Sequence, residues 1–93
     1  MSEASLTLLG RRLMQTGKAA TAVKLLEWSA QQYPKSVKVQ NGLAEAYATA
    51  GNKVGAKAAT AKALKMAESD PGIDPALRKA VNEAAAQRLK ASQ

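Results

Sequence analysis

The chain has 93 residues and a formal net charge of +7, from 14 lysines and arginines against 7 acidic residues. This length suits one domain, residues 1–93, and leaves little room for a second. Histidine and cysteine are both absent. The common nitrogen and sulfur ligands of metals are therefore missing, as are Ser-His-Asp and Cys-His catalytic sites. We predict that the chain is not an enzyme and that it holds no metal and no cofactor.

No apolar run approaches the roughly 20 residues that a membrane-spanning helix needs. The first five residues carry an acid instead of the basic start of a secretion signal, and no apolar region follows them. We therefore expect a cytoplasmic location and no membrane partner.

The first two predicted helices are separated by a glycine turn. Residues 5–15 form the first helix, and Gly17 ends it because glycine readily adopts the positive φ of a helix end. Residues 18–32 form the second helix, which stops before Pro34 because proline cannot continue a helix. The apolar faces of the two helices, with spacings of three and four, consist of Leu6, Leu9, Leu13, Ala22, Leu25, Leu26 and Ser29.

The next two helices repeat this arrangement. Ser36 is suited to cap the third helix, residues 37–49, because its hydroxyl can accept a backbone hydrogen bond. Gly51 marks a second turn, and residues 53–68 form the fourth helix. The inward faces consist of Val39 or Gln40, Leu43, Ala44, Tyr47, Ala56, Ala59, Thr60, Ala63 and Ala67. Small residues on the fourth helix allow close helix packing but bury little apolar area.

A fifth helix follows a turn cluster at residues 69–72. Asp74 and Pro75 have the pattern of an N-cap followed by proline at the first helical position. The apolar stripe of this helix consists of Leu77, Ala80, Val81 and Ala84. We interpret residues 74–90 as a capping helix that covers the last apolar face of the fold.

Residues of the first helix pair recur in the second pair at a constant offset of 34 positions. Leu9, Leu13, Gly17 and Ala22 correspond in this way to Leu43, Tyr47, Gly51 and Ala56. A period of this size is typical of stacked helix–turn–helix units.

The pattern resembles the tetratricopeptide repeat. Residues 3–36 form the first unit and residues 37–70 the second. The signature positions of the first unit carry Leu6, Leu9, Gly10, Leu13, Gly17, Ala22, Leu26, Ser29 and Pro34. The second unit departs from the pattern at Gln40, at Thr60 and at Glu68, which stands where proline is expected. We expect the core of this unit to be less well filled.

The resemblance implies an all-α fold in which antiparallel helix pairs stack into a right-handed superhelix. The first helices of the units line a concave groove, and this groove typically holds a peptide or part of a partner protein. The implied function is that of a non-catalytic scaffold or adaptor module. The candidate partner-binding side chains on the concave face are Thr7, Arg11, Met14, Lys38, Asn41 and Glu45.

Trp28 is a candidate for a second interface, on the convex side of the fold. It lies next to the buried positions of the second helix, so we expect it to be partly exposed. Tryptophan is enriched at interaction hot spots because it buries a large area with few rotatable bonds. The alternative is that Trp28 shields the alanine-rich core.

Two alternatives to the adaptor function remain. The chain could be an accessory segment of a larger multidomain enzyme or complex. Its positive charge also suits nucleic acid, but the lysines at 53, 57, 62 and 65 spread around their helix, and no platform of exposed aromatics accompanies them.

Two repeat units and one capping helix make a thin apolar core. We therefore predict self-association, or residence within a larger assembly.

Overall fold

Five α-helices and no strand occupy the part of the chain that the computed structural model describes, residues 2–91. They are α1 (Glu3–Gln15), α2 (Ala19–Gln32), α3 (Val37–Thr49), α4 (Lys53–Ser69) and α5 (Pro75–Ala91). The predicted all-α class with five helices is confirmed. Met1, Ser92 and Gln93, which the predicted domain includes, lie outside the described residues. No helix of residues 2–91 is both long and apolar enough to cross a membrane.

Side-chain oxygens cap the helices where the sequence suggested. Ser36 Oγ accepts a hydrogen bond from the backbone N–H of Val39 at 3.1 Å, and α3 begins at the next residue after Ser36. Asp74 Oδ1 accepts from the backbone N–H of Ala76 at 2.9 Å, at the start of α5. Each cap satisfies an N–H group that has no partner inside the helix, and each therefore fixes where the helix starts.

Two turns with the same geometry close the helix pairs. Gly17 has φ of 80° and Gly51 has φ of 84°, a region that glycine enters at little cost. After α1, the Lys18 N–H donates to the Leu13 carbonyl at 2.8 Å and the Gly17 N–H donates to the Met14 carbonyl at 3.2 Å. The corresponding bonds, 34 residues later, close the end of α3. Both turns are Schellman motifs, and they turn the chain back on itself at equivalent places.

The helices form two layers. α3 packs against each of the other four helices of the described chain, and α1 and α3 lie side by side. Within residues 2–91, α2 and α4 contact α3 but have no contact with each other. The second helices therefore diverge while the first helices stay together, and the stack curves with α1 and α3 on its inner, concave side.

Two apolar clusters hold the layers together. The first lies between α2 and α3 and consists of Ala22, Leu26, Leu43 and Ala46. The second joins α3, α4 and α5 and consists of Val37, Ala63, Ala67, Ile73 and Val81. Ile73 comes from the turn before α5, where no helical periodicity could indicate its burial.

Several positions differ from the predicted faces, among them Val37 and Ala46 of α3, which are buried although the predicted face omits them. Leu9 is 36% exposed, whereas Leu43 at the equivalent place in α3 is 7% exposed. The difference arises because α2 covers Leu43, whereas no helix precedes α1 in the described chain. Ala80 is exposed and Ala85 is buried, so the buried stripe of α5 is rotated toward Val81 and Ala85.

The polar substitutions in the second unit do not leave unsatisfied groups. Gln40 is 6% exposed and Thr60 is fully buried. Among the described residues, no buried side-chain nitrogen or oxygen lacks a hydrogen-bond partner.

Candidate functional site

A cavity of about 310 Å³ lies on the concave side of the stack. All six predicted partner-binding residues line it: Thr7, Arg11 and Met14 from α1, and Lys38, Asn41 and Glu45 from α3. Arg11 and Lys38 are exposed, and the other four are half-buried. These side chains come together because α1 and α3 pack side by side and present equivalent helical faces.

The cavity continues toward the C-terminal half of α5. A second space of about 370 Å³ shares Arg11, Asn41 and Glu45 with the first, and its far wall includes Ala84 and Arg88 of α5. We call the two spaces together the groove. It is bounded by α1, α3 and α5, because Leu77 and Ala80 of α5 also line the first space.

Arg88 reaches from α5 across the groove to α3. Its Nη2 donates to the Asn41 side-chain Oδ1 at 2.8 Å and to the Asn41 backbone oxygen at 3.2 Å. Its Nη1 lies 3.5 Å from the Thr60 hydroxyl oxygen, at the outer limit of a hydrogen bond. A single guanidinium thus links α5 to α3 and α4 through polar contacts.

The groove has a positive lining. Among the described residues that line it, Arg11, Lys38 and Arg88 are cationic and Glu45 alone is acidic. Burial lowers the pKa of Arg88, and the nearby Glu45 carboxylate opposes this change. Because arginine stays protonated far above neutral pH, the guanidinium remains charged.

A sequence model of the family described as "Tetratricopeptide repeat" matches residues 13–80, which is more than half of the chain. The chain belongs to the tetratricopeptide repeat family. No curated protein and no solved structure matches it. Tetratricopeptide repeats generally mediate protein–protein interactions, and the family is typically non-catalytic.

The repeat periodicity extends further than the two predicted units. Leu77 and Val81 in α5 lie 34 positions after Leu43 and Tyr47. Leu77 lines the groove and Val81 is fully buried. In the tetratricopeptide repeat, α5 therefore takes the place of the first helix of a third unit, and the same offset could have revealed this role.

Arg88 is the site residue that sequence reasoning missed. Arg88 lies outside the predicted apolar stripe of α5, and no repeat position marks it. Its role depends on the distance between α5 and α3, which side-chain periodicity does not determine. Its partner Asn41 lies 47 positions earlier in the chain.

Trp28 lies away from the groove. It belongs to α2 and is 50% exposed, which agrees with the expected partial exposure.

A hydrogen bond links α3 to α2. The Tyr47 hydroxyl of α3 donates to Glu27 Oε2 of α2 at 2.6 Å. This hydrogen bond, together with burial and the charge of Glu27, raises the pKa of Tyr47 to about 12.

The described residues contain no group of three or more histidine, cysteine, aspartate or glutamate side chains that could hold a metal ion. Another cavity, of about 530 Å³, lies beside the turns at residues 33–36 and 70–74. Lys38 is its one member from the predicted site, so we place the candidate site in the groove instead.

Proposed function

We propose that the chain is a non-catalytic interaction module that binds an extended segment of a partner protein in the groove. The observation that carries this proposal is the joint lining of one cavity by side chains from two successive units. Arg11 of α1 and Lys38 of α3 are the exposed cations there. A partner segment that lies along the groove would contact both units at once.

The chemistry of the lining also supports a peptide ligand. Arg11 offers a planar fork of donors, and Asn41 offers both donor and acceptor groups. Met14 adds a flexible apolar side chain, which adapts to different ligand shapes. Polar groups that fix an orientation, next to an adaptable apolar surface, are what a peptide site needs.

A pull-down of partners from the native cell extract tests the groove. We expect Arg11→Glu and Lys38→Glu each to reduce recovery of the bound partner by about tenfold or more, because a charge reversal places repulsion inside the site. Lys57→Glu and Lys62→Glu make the same charge change on exposed positions of α4 and serve as matched controls. Equal recovery with all four variants would rule out the groove as the binding site.

The exposed apolar side chains of the first helix pair favour a second candidate, self-association. Leu9 is 36% exposed and Trp28 is 50% exposed. Both lie in the unit that has no neighbouring helix pair before it in the described chain. A second copy would cover them without involving the groove.

A further inference from the structure

The outer face of α4 is positively charged. All the lysines of this helix are exposed: Lys53, Lys57, Lys62 and Lys65. The part of the chain that the structure describes offers none of them a hydrogen-bond or salt-bridge partner. At about 100° per residue, they cover about half of the helix circumference, and the other half is buried against the core. The lysines that spread around the helix in the sequence therefore all lie on the side that the fold leaves exposed.

The stability of α4 does not account for this arrangement. Lys53 stands at the first position of α4, where the helix macrodipole disfavours a cation. Lys57 follows it by four positions, and Lys62 and Lys65 are three positions apart, so like charges repel along the helix. The one acid of α4, Glu68, comes only in the last turn. These charges therefore favour an external anion.

The lysines flank a strip of small apolar side chains. Val54 is 83% exposed, and Ala58 and Ala61 on the same side of α4 are exposed as well. The long stems of lysines keep their charges among polar groups while neighbouring apolar residues approach a membrane interface. The helix has neither arginine nor an aromatic residue, so it lacks the groups that read or stack nucleic acid bases. An anionic surface with an apolar layer beneath it fits this face better than a nucleic acid does.

This face and the groove lie on opposite sides of the fold. α1 and α3 form the concave layer, whereas α4 belongs to the other layer with α2. No residue of α4 lines either space of the groove. A partner in the groove and a surface at α4 therefore do not compete.

We propose that the outer face of α4 docks on the headgroups of an anionic lipid bilayer. The lysine ammonium groups contact the phosphates and carboxylates of the lipids, and Val54 lies among the headgroups. A contact at the membrane surface needs no spanning segment, so it replaces the expectation of no membrane partner. It is independent of the proposed function, since no groove residue takes part. With the groove occupied as well, the chain would bring a protein partner to the membrane.

Flotation of the full chain with vesicles tests the contact. At ~0.1 M salt, we expect binding to phosphatidylcholine vesicles with roughly 30% phosphatidylserine and at least about tenfold weaker binding to phosphatidylcholine alone. Lys62→Gln combined with Lys65→Gln should lower the partition coefficient about twentyfold, since each lysine near an anionic surface contributes roughly fivefold. Lys79→Gln combined with Lys90→Gln removes the same charge from exposed positions of α5 and should lower it less than about threefold.

A change to the apolar strip separates a membrane from a nucleic acid. Val54→Gln should lower the partition coefficient about threefold, because an apolar side chain no longer enters the interface. The same variant should leave the weak binding of a DNA duplex unchanged. Circular dichroism should show unchanged helicity in every variant, since each replaced side chain is exposed.

Three results would overturn the proposal. The first is the absence of binding to vesicles with phosphatidylserine. The second is an equal loss with the α4 and α5 lysine pairs, because only the net charge would then matter. The third is release of the DNA duplex by the α4 pair with vesicle binding unchanged, which would assign the face to nucleic acid instead. Full vesicle binding by Val54→Gln would contradict the apolar contact.

Discussion

Gly10 allows the two helices of the first unit to approach closely. A Cβ atom at Gly10 would lie 2.8 Å from Leu26 Cδ1, and Leu26 is fully buried. Gly10→Ala therefore forces the packed leucine to move. We expect a net loss of about 1 kcal/mol in unfolding free energy, because overpacking outweighs the gain in helix propensity. Urea denaturation measures this change.

Gly42→Ala is the matched control for Gly10→Ala. A Cβ atom at Gly42 would lie 3.7 Å from Leu26 Cδ1, which is an ordinary contact. We expect Gly42→Ala to stabilise the protein by about 0.5–1 kcal/mol, since alanine favours the helix. Equal effects of the two substitutions would contradict the close approach at Gly10.

The hydrogen bond from Tyr47 to Glu27 predicts a pH dependence. The pKa of Tyr47 is raised from its ordinary value of 10.0 to about 12 in the folded chain. The stabilisation is therefore fully present below pH 10 and is lost as the pH rises through about 12. Ultraviolet absorbance titration should show this late ionisation.

Glu27→Gln should lower the Tyr47 pKa toward its ordinary value, because the amide accepts a weaker hydrogen bond and carries no charge. Glu83→Gln removes a carboxylate from an exposed position on α5 and should leave the titration unchanged. A late ionisation that survives Glu27→Gln would refute the role of this carboxylate.

The attachment of α5 depends on a few buried side chains. Val81 is fully buried in the cluster with Ala63 and Ala67, so Val81→Ala leaves a space that small neighbours cannot fill. We expect a loss of about 2 kcal/mol in unfolding free energy and faster hydrogen exchange in α5. Val54→Ala makes the same change at a side chain that is 83% exposed and should alter stability by less than about 0.5 kcal/mol. Similar losses at both valines would contradict the packing of α5.

The helices and their ends were predictable because their signals are local. A capping serine, a turn glycine and a proline act on residues three or four positions away, and the sequence displays those positions directly. The resemblance to the tetratricopeptide repeat then implied that the first helices line a groove, and it supplied the six candidate residues there. The helices and turns therefore follow from short-range chemistry and periodicity, whereas the groove follows from the family resemblance.

Features that depend on distances between helices could not be predicted in the same way. Ile73 completes a core cluster from a turn, and Arg88 reaches a residue 47 positions away.

The loss of core volume expected in the second unit is opposed by a substitution at a second position. The first unit combines Gly10 with Leu26, whereas the second holds the larger Ala44 and the smaller Thr60 at the same two positions. The two exchanges oppose each other in volume.

At the scale of the whole molecule, one end of the stack is covered and the other is open. α5 covers α4 through Val81, whereas Leu9 and Trp28 remain exposed at the first unit. We expect two copies to pair through their first units, and the covered end stops further addition, so a closed dimer forms instead of a filament. Sedimentation equilibrium at micromolar concentration should show this dimer.

Substitutions at the open end check the dimer. Leu9→Gln and Trp28→Ser should each raise the dissociation constant by about tenfold, since each removes apolar area from the contact. Val54→Gln alters an exposed side chain of α4 and should leave the dimer intact. A monomer at all concentrations in the unmutated chain would remove the proposal.

The position of α3 has a consequence for how the chain unfolds. α3 touches every other described helix, whereas α1 and α2 contact neither α4 nor α5. Loss of α3 would leave two separate helix pairs, each too small to keep an apolar core on its own. Cooperative unfolding of the chain depends on α3, a segment of 13 residues. We therefore expect a chain that is modular in sequence to unfold in a single all-or-none transition.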